Sequence, residues 1–199
     1  MYALVEDGSI SKLITNPKAM VIGDVRYPAK IFQLWSQSEK EAIGIYEIIV
    51  DKTNYKDPAY YINTDSSYTF ADGQVTESWG TATAKELEDR NATDKDGVEL
   101  DPIVVIDGLK TDKKRIIKQQ ASGLLEKTDW HNHKALDDET YTIPDNIKTY
   151  RANVRAKSNE MESQIDACTN VDELKALYEY TRQEDGTQTR PLAEFPKEI

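Results

Sequence analysis

The sequence predicts an α+β fold: a β-rich N-terminal module of short hairpins followed by a C-terminal helical hairpin or three-helix module. Three observations carry that expectation. Two Asp-Gly pairs, Asp7-Gly8 and Asp72-Gly73, each separate short runs suited to strands. Both residue types tolerate the positive φ of a type I′ turn, so the pair is a strong hairpin signal. From Thr111 onward the apolar residues switch to a helical period. Between these regions Asn91 to Gly97 holds Asn, Asp, Thr and Gly with almost nothing to bury, which marks a linker or exposed loop. The expected organisation is therefore a β-rich module over 1–90, a linker with a short strand over 91–110, a helical module over 111–181, and an extended or disordered tail over 182–199.

In chain order, Tyr2 to Val5 and Ile10 to Ile14 flank the first turn. Ser36 and Ser38 each precede a Glu by three positions, at Glu39 and Glu41, and either pair makes a capping box for a short helical turn. Gly44 to Val50 is β-branched and apolar, a strand. In the second hairpin Tyr68 and Phe70 share one face, and Val75, Glu77 and Trp79 share another. Thr83 and Glu86 repeat the capping spacing and predict a further short helix over 83–90. Pro102 to Ile106 is a short β-like run.

Thr111 is the expected N-cap of the first long helix, with Asp112 in its first turn and Ile117, Ala121, Leu124 and Leu125 on one face. A second helix starts at Pro144-Asp145, with Ile147, Tyr150, Val154, Met161, Ile165 and Cys168 as its stripe. A third opens at Asn170, with Glu173 three residues on, runs through Leu174, Leu177 and Tyr178, and ends before Gly186. The last residues, Thr187 to Ile199, include two prolines and few anchors. They are expected to be disordered or to order against a partner.

Composition narrows the function. The chain of 199 residues allows one large domain or two small ones. Charged residues make up 31 % and apolar ones 38 %, which predicts small cores and much solvated surface. The formal net charge of −11 is evenly spread: residues 1–90 carry 9 basic and 14 acidic side chains, residues 91–199 carry 16 and 22. With no basic stripe to neutralise phosphates, no nucleic-acid partner is expected. The opening Met1 to Gly8 lacks the basic and apolar regions of a signal peptide. No apolar run nears the roughly 20 residues that span a bilayer, so no membrane partner is expected. Cys168, the only cysteine, lies on an apolar stripe and is expected to be a small buried hydrophobe.

Few residues carry recognisable chemistry. Asp129-Trp130-His131-Asn132-His133 contains both histidines of the chain. In extended backbone, His131 and His133 can both donate to Zn²⁺, with Asp129 or Asp137 as a third ligand. In a helix, residues two apart point about 200° apart and the chelate fails. A surface turn is the expected state of this segment, with no metal. The acidic pairs Asp137-Asp138-Glu139, Glu88-Asp89 and Glu184-Asp185 sit in polar runs, unlike the apolar clefts that drive carboxylate pKa values apart. Asp94-x-Asp96-Gly97 hints at a calcium loop, but the twelfth position, which needs a bidentate Glu, is Val105. There is no Gly-rich phosphate loop, Gly-x-Ser-x-Gly or Cys-x-x-Cys. Neither catalysis nor a cofactor is expected.

Two stretches resemble a known family. One is the opening Met1 to Ile10, joined by the hairpin Asp72 to Trp79 and Ala82 to Leu87. The other is Leu124-Leu125-Glu126-Lys127-Thr128-Asp129-Trp130, then Ile143-Pro144-Asp145, then Tyr150-Arg151-Ala152-Asn153-Val154-Arg155. The helical part is similar to tail fibre assembly and related tail proteins of tailed bacteriophages. The N-terminal part is similar to small phage tail proteins carrying the same helical segment. The likeness covers most of 1–15 and 68–180 and departs at His131-Asn132-His133 and from Gly97 to Gly108. It implies a non-enzymatic virion structural protein of the tail, baseplate or tail fibre, made in the host cytoplasm. Its partners would be fibre, baseplate or tail-tube proteins, and it would be a homo-oligomer within a symmetric assembly. The alternatives are a tail fibre assembly chaperone that leaves the virion, and a metal-dependent enzyme using Asp129, His131 and His133. Apart from the likeness, Trp130 and Tyr150 suit the bracing of two helices, with a polar atom kept bonded. Arg151 and Arg155 share a helix face and suit pairing with Asp129, Asp145 or an acidic partner. These four are the interaction candidates.

Overall fold

Asp7 and Gly8 take φ of 51° and 77°, and Asp72 and Gly73 take 52° and 74°, so both Asp-Gly pairs turn the chain as a tight hairpin demands. Around these turns the computed structural model, which describes residues 1–199, builds an α+β fold. Its strands are β1 (Tyr2–Glu6), β2 (Ser9–Ile14), β3 (Met20–Ile22), β4 (Val25–Tyr27), β5 (Ile45–Asp51), β6 (Tyr61–Ile62), β7 (Ser66–Ala71), β8 (Gln74–Trp79), β9 (Thr83–Ala84), β10 (Arg90–Asn91), β11 (Val105–Ile106), β12 (Thr181–Arg182) and β13 (Gln188–Thr189). Its helices are α1 (Ile31–Leu34), α2 (Gln37–Glu41), α3 (Leu109–Glu126), α4 (Asp129–Asp137), α5 (Asp145–Ala167) and α6 (Val171–Ala176). The chain divides into two compact units, Met1–Thr83 and Ala84–Ile199, slightly before the expected boundary at Arg90.

The first unit is a five-stranded sheet ordered β2-β1-β5-β8-β7. All its pairings are antiparallel except β5 with β8, where Ile48 faces Val75. Period-two alternation splits its apolar residues between two faces. Leu4, Ile14 and Ile45 pack under Ile31 and Phe32 of α1, while Ala3, Val5, Ile48 and Val75 gather on the other face beside Tyr46 and Phe70. The edge strands β2 and β7 come back into contact, so the sheet is strongly curled. Ser36 caps α2: its Oγ accepts from the Glu39 N–H, while Glu39 accepts from the Ser36 N–H. Gly44 joins α2 to β5 with φ of 80°, and its carbonyl accepts from the Val5 N–H at 2.8 Å. A Cβ there would lie 2.6 Å from the Val5 carbonyl oxygen, so both conformation and space demand glycine.

The second unit is organised by α3 and α5, which run antiparallel. Ala121, Tyr150 and Val154 form a core cluster between them. Along the seam Lys114 pairs with Asp166 at 2.7 Å and Lys118 with Glu162 at 3.2 Å, while Lys110 donates to the Asp166 carbonyl. The α5 stripe is buried as its spacing predicts, from Ile147 to Cys168. Asn170 caps α6 by accepting from the Glu173 N–H.

Two expectations fail here. Thr111 is not the N-cap of the first long helix; that residue is Gly108, and the helix begins at Leu109. Residues 83–90 do not form a helix but run extended, with β9 and β10 at their ends. The two errors share one cause. The first N–H groups of a helix need acceptors, and the 86–89 stretch supplies them: Leu109 donates to the Glu86 carbonyl, Lys110 to that of Leu87, and Gly108 to Asp89 Oδ1. The approach is so close that a Cβ on Gly108 would lie 2.4 Å from the Glu88 carbonyl carbon. A helix over 83–90 would take the Glu86 carbonyl for its own Arg90 N–H and so compete with Leu109 for it.

Of the two states expected for the tail, the structure shows the extended one: it completes the β12–β13 hairpin and then crosses the helices without further helix or strand. Leu192 is buried and its N–H donates to the Leu177 carbonyl; Gln164 bonds both the Pro191 carbonyl and the Ala193 N–H. Phe195 packs on the Ala121–Tyr150–Val154 cluster.

Candidate protein-binding site around helix α4

The segment Asp129 to His133 is the first part of a helix, not a surface turn, and Arg151 explains why. Arg151 lies on the buried face of α5. Its guanidinium donates to the Leu125 carbonyl at the end of α3 (2.8 Å), to Thr128 Oγ1 (2.7 Å) and to Asp129 Oδ1 (2.7 Å). One cation thereby satisfies a C-terminal carbonyl of one helix and holds the acidic first turn of the next, where helix dipoles favour each charge. The planar fork of arginine can serve all three acceptors, and a lysine point charge cannot. Thr128 Oγ1 completes the corner by donating to the Leu125 carbonyl.

With α4 fixed at its start, its side chains divide. His131 turns inward and is buried, with its Nδ1 hydrogen-bonded to the Tyr141 hydroxyl. Trp130 stacks on the His131 ring at a centroid distance of 3.7 Å yet stays 55 % exposed. Leu136 is 81 % exposed, and Lys134 sits over the Tyr141 ring. The helix thus presents an indole and an isobutyl group to solvent from a backbone tied to α3 and α5.

The candidates named from the sequence separate accordingly. Tyr150 is buried in the core cluster, Arg151 is the internal brace to Asp129, and Trp130 and Arg155 are exposed. Arg155 pairs with neither Asp129 nor Asp145: Asp129 is taken by Arg151, and Asp145 by Lys148. Because 129–137 is helical, His131 and His133 lie on different faces, one buried and the other exposed, so they do not form the chelate that extended backbone would allow. No group of three His, Cys, Asp or Glu side chains stands together in a metal-binding arrangement. Sequence reasoning missed Thr128, Tyr141 and Leu136. Thr128 precedes Asp129 at the N-cap position, but its hydroxyl serves the Leu125 carbonyl and Arg151 rather than the N–H groups of α4, and nothing in the sequence marked Leu136 as outward.

The acidic pairs are structural. Asp89 accepts from Gly108 and Thr111, which holds its carboxyl below the usual range, the backbone bond being the larger cause. Asp138 and Asp185 are likewise lowered, chiefly by the hydroxyls of Thr140 and Thr187. Cys168 donates to the Gln164 carbonyl, and burial pushes its thiol up, opposite to a nucleophile. A cleft of about 490 Å³ along α3 is lined by Lys114, Arg115 and Lys118, whose charges already pair with Asp166, with Asp107 and Asp112, and with Glu162. No helix is long and apolar enough to cross a membrane.

Comparison with protein-family models, with curated proteins and with solved structures finds no match.

Proposed function

We propose that the chain is a non-enzymatic structural protein of a bacteriophage tail, baseplate or tail fibre, which works by binding other tail proteins in a symmetric assembly. The observation that carries the binding role is the exposed pair Trp130 and Leu136 on a braced helix. Exposed apolar side chains on a fixed backbone are common interface anchors, and stacking on His131 leaves the Trp130 indole little freedom to lose on docking. The phage assignment rests on the resemblance of Leu124 to Trp130, Ile143 to Asp145 and Tyr150 to Arg155 to the helical segment of tail fibre assembly and related tail proteins. On this reading the α3–α5 hairpin is the helical module, α4 is its presenting element, and the β-rich module precedes it.

A second reading takes the chain as a fibre assembly chaperone that leaves after folding its client, since the same resemblance covers both classes. A metal-dependent enzyme using Asp129, His131 and His133 is disfavoured by the helical geometry of 129–137 and by the engagement of Asp129 with Arg151. Mass spectrometry of gradient-purified particles separates the first two. Stoichiometric peptides of this chain in particles support a retained tail part; presence in the lysate and absence from particles supports the chaperone. Trp130→Ala is expected to leave thermal stability within about 0.5 kcal/mol while abolishing incorporation or client binding. Unaltered assembly with the variant would remove α4 as the contact.

A further inference from the structure

A second surface, far from α4 in sequence, has its own chemistry. In the stretch between β10 and α3, the chain 90–94 pairs back on 98–106: Asn91 faces Val105, Arg90 faces Ile106, and Thr93 bridges Glu99. The Ala92 N–H donates to the Val104 carbonyl at 2.7 Å. Val104 is thus in a hydrogen-bonded position, and Val105, one residue on, turns its own N–H and C=O to the outer edge of the ladder. The side chains along this edge are aliphatic and exposed: Ile103 by 64 %, Val104 by 48 %, Val105 by 55 % and Ile106 by 40 %, with Val98 at 62 %. The exposed aliphatic run ends in the two-residue strand Val105–Ile106, whose outward backbone at Val105 is open to another strand.

Charge says which strand. The segment that carries this edge, 90–107, is acidic: Asp94, Asp96, Glu99, Asp101 and Asp107 stand against Arg90 and Lys95. Asn91 and Arg115 engage Glu99 and Asp107, and Asp94 closes its own turn by accepting from Asp96 and Val98, so Asp96 and Asp101 face solvent without such bonds. A second copy of this chain would bring like-charged segments together, a cost that a net charge of −11 only adds to.

We propose that the open edge of β11 at Val105, with the exposed Ile103 before it, binds an extended, basic, aliphatic segment of another protein by strand addition. Main-chain bonds to Val105 give the pairing, the aliphatic side chains give buried area, and the acidic segment selects lysine- or arginine-bearing strands. The inference does not depend on the phage assignment or on the α4 surface.

The test uses the full chain and two synthetic probes, a peptide of alternating Lys and Val and its Glu–Val counterpart, followed by backbone NMR and fluorescence anisotropy. The Lys–Val peptide is expected to bind, to shift and protect the Val105 amide, and to weaken as salt is raised; the Glu–Val peptide is expected not to bind. Val105→Pro removes the outward N–H and none of the inward ladder bonds. It is expected to cut affinity at least tenfold at unchanged melting temperature, as is Ile103→Lys. Equal binding of both peptides, binding that leaves the Val105 amide unmoved, no binding at all, or self-association through this edge would each overturn the proposal. Loss of α4-dependent assembly in the Trp130→Ala variant would not touch it.

Discussion

The sheet unit and the helical unit solve the same problem with different forces. In residues 1–83 the shape follows from turns that need particular backbone conformations and from a sheet that buries apolar residues on both faces. Its polar bonds are neutral or local: the Ser36–Glu39 capping box and the Asp51–Thr53 turn, and the longer links from Asn54 to the Trp79 carbonyl and from the Gly80 N–H to Thr64. In residues 84–199 the ion pairs tie distant segments: Lys110 to Glu88, Lys114 to Asp166, Lys127 to Glu198 and Arg151 to Asp129. The reason is supply. Long, charge-rich helices offer narrow apolar stripes, so the second unit joins its parts with side chains that are apolar along the stem and charged at the tip. The first unit is held chiefly by packing, and the second by packing plus specific polar corners.

That contrast can be broken at its strongest point by Leu192→Ala. The residue is 2 % exposed and anchors the tail over the helices, so the change is expected to cost about 3 kcal/mol. Hydrogen exchange should report the loss across α5 and α6 and leave β1, β5 and β8 unaltered. A loss below about 0.5 kcal/mol would mean that the tail contributes little.

The matching change in the sheet unit is Gly44→Ala, expected to cost about 2 kcal/mol because a Cβ meets the Val5 carbonyl at positive φ. Exchange should then rise along β1 and β5 alone. Arg151→Lys tests the polar corner itself. The three bonds leave Arg151 from two separate nitrogens, which the single, shorter-reaching nitrogen of lysine does not replace, so about 1–2 kcal/mol is lost and α4 frays first, seen as weakened protection of residues 129–137.

Acid should separate the units next. Asp89, Asp138, Glu173 and Asp185 in the second unit, and Glu39 and Asp51 in the first, all have lowered carboxyl pKa values. A lowered folded pKa gives stabilisation that is complete above the unfolded value and lost as pH falls through the folded one. Loosening is therefore expected below about pH 4, earlier for the helical unit, followed by circular dichroism at the helical minimum. Earlier loss of the sheet would reverse the ranking. The smallest effect is that of salt. Raising NaCl from about 0.05 M to about 0.5 M shortens the Debye length below about 10 Å. It should lower stability in the helical unit by roughly 0.5 kcal/mol and leave the sheet unit unaffected.

Much of this was legible in the residues because the signals are local. Asp-Gly turns, the Ser36 and Asn170 caps and the apolar stripe of α5 each depend on residues within a few positions, and each stands where the spacing put it. The same reasoning misplaced Thr83 to Arg90 as a helix because the competing demand, acceptors for the first N–H groups of α3, comes from residues some twenty positions on. It likewise left the tail unanchored, since Leu192 and Phe195 find their partners only once α3, α5 and the chain after α6 are assembled.

By itself, then, the sequence determined the secondary elements that short-range stereochemistry enforces, the α+β class, and the absence of any basic stripe. Tertiary structure alone decided that Arg151, and not Arg155, would reach Asp129 and with it the Leu125 carbonyl, that His131 would turn in while Trp130 turned out, and that Val105 would lie on an open edge. The physical reason is the same in each case. Which acceptor a cation reaches, and which face of an element meets solvent, depends on neighbours that are remote along the chain.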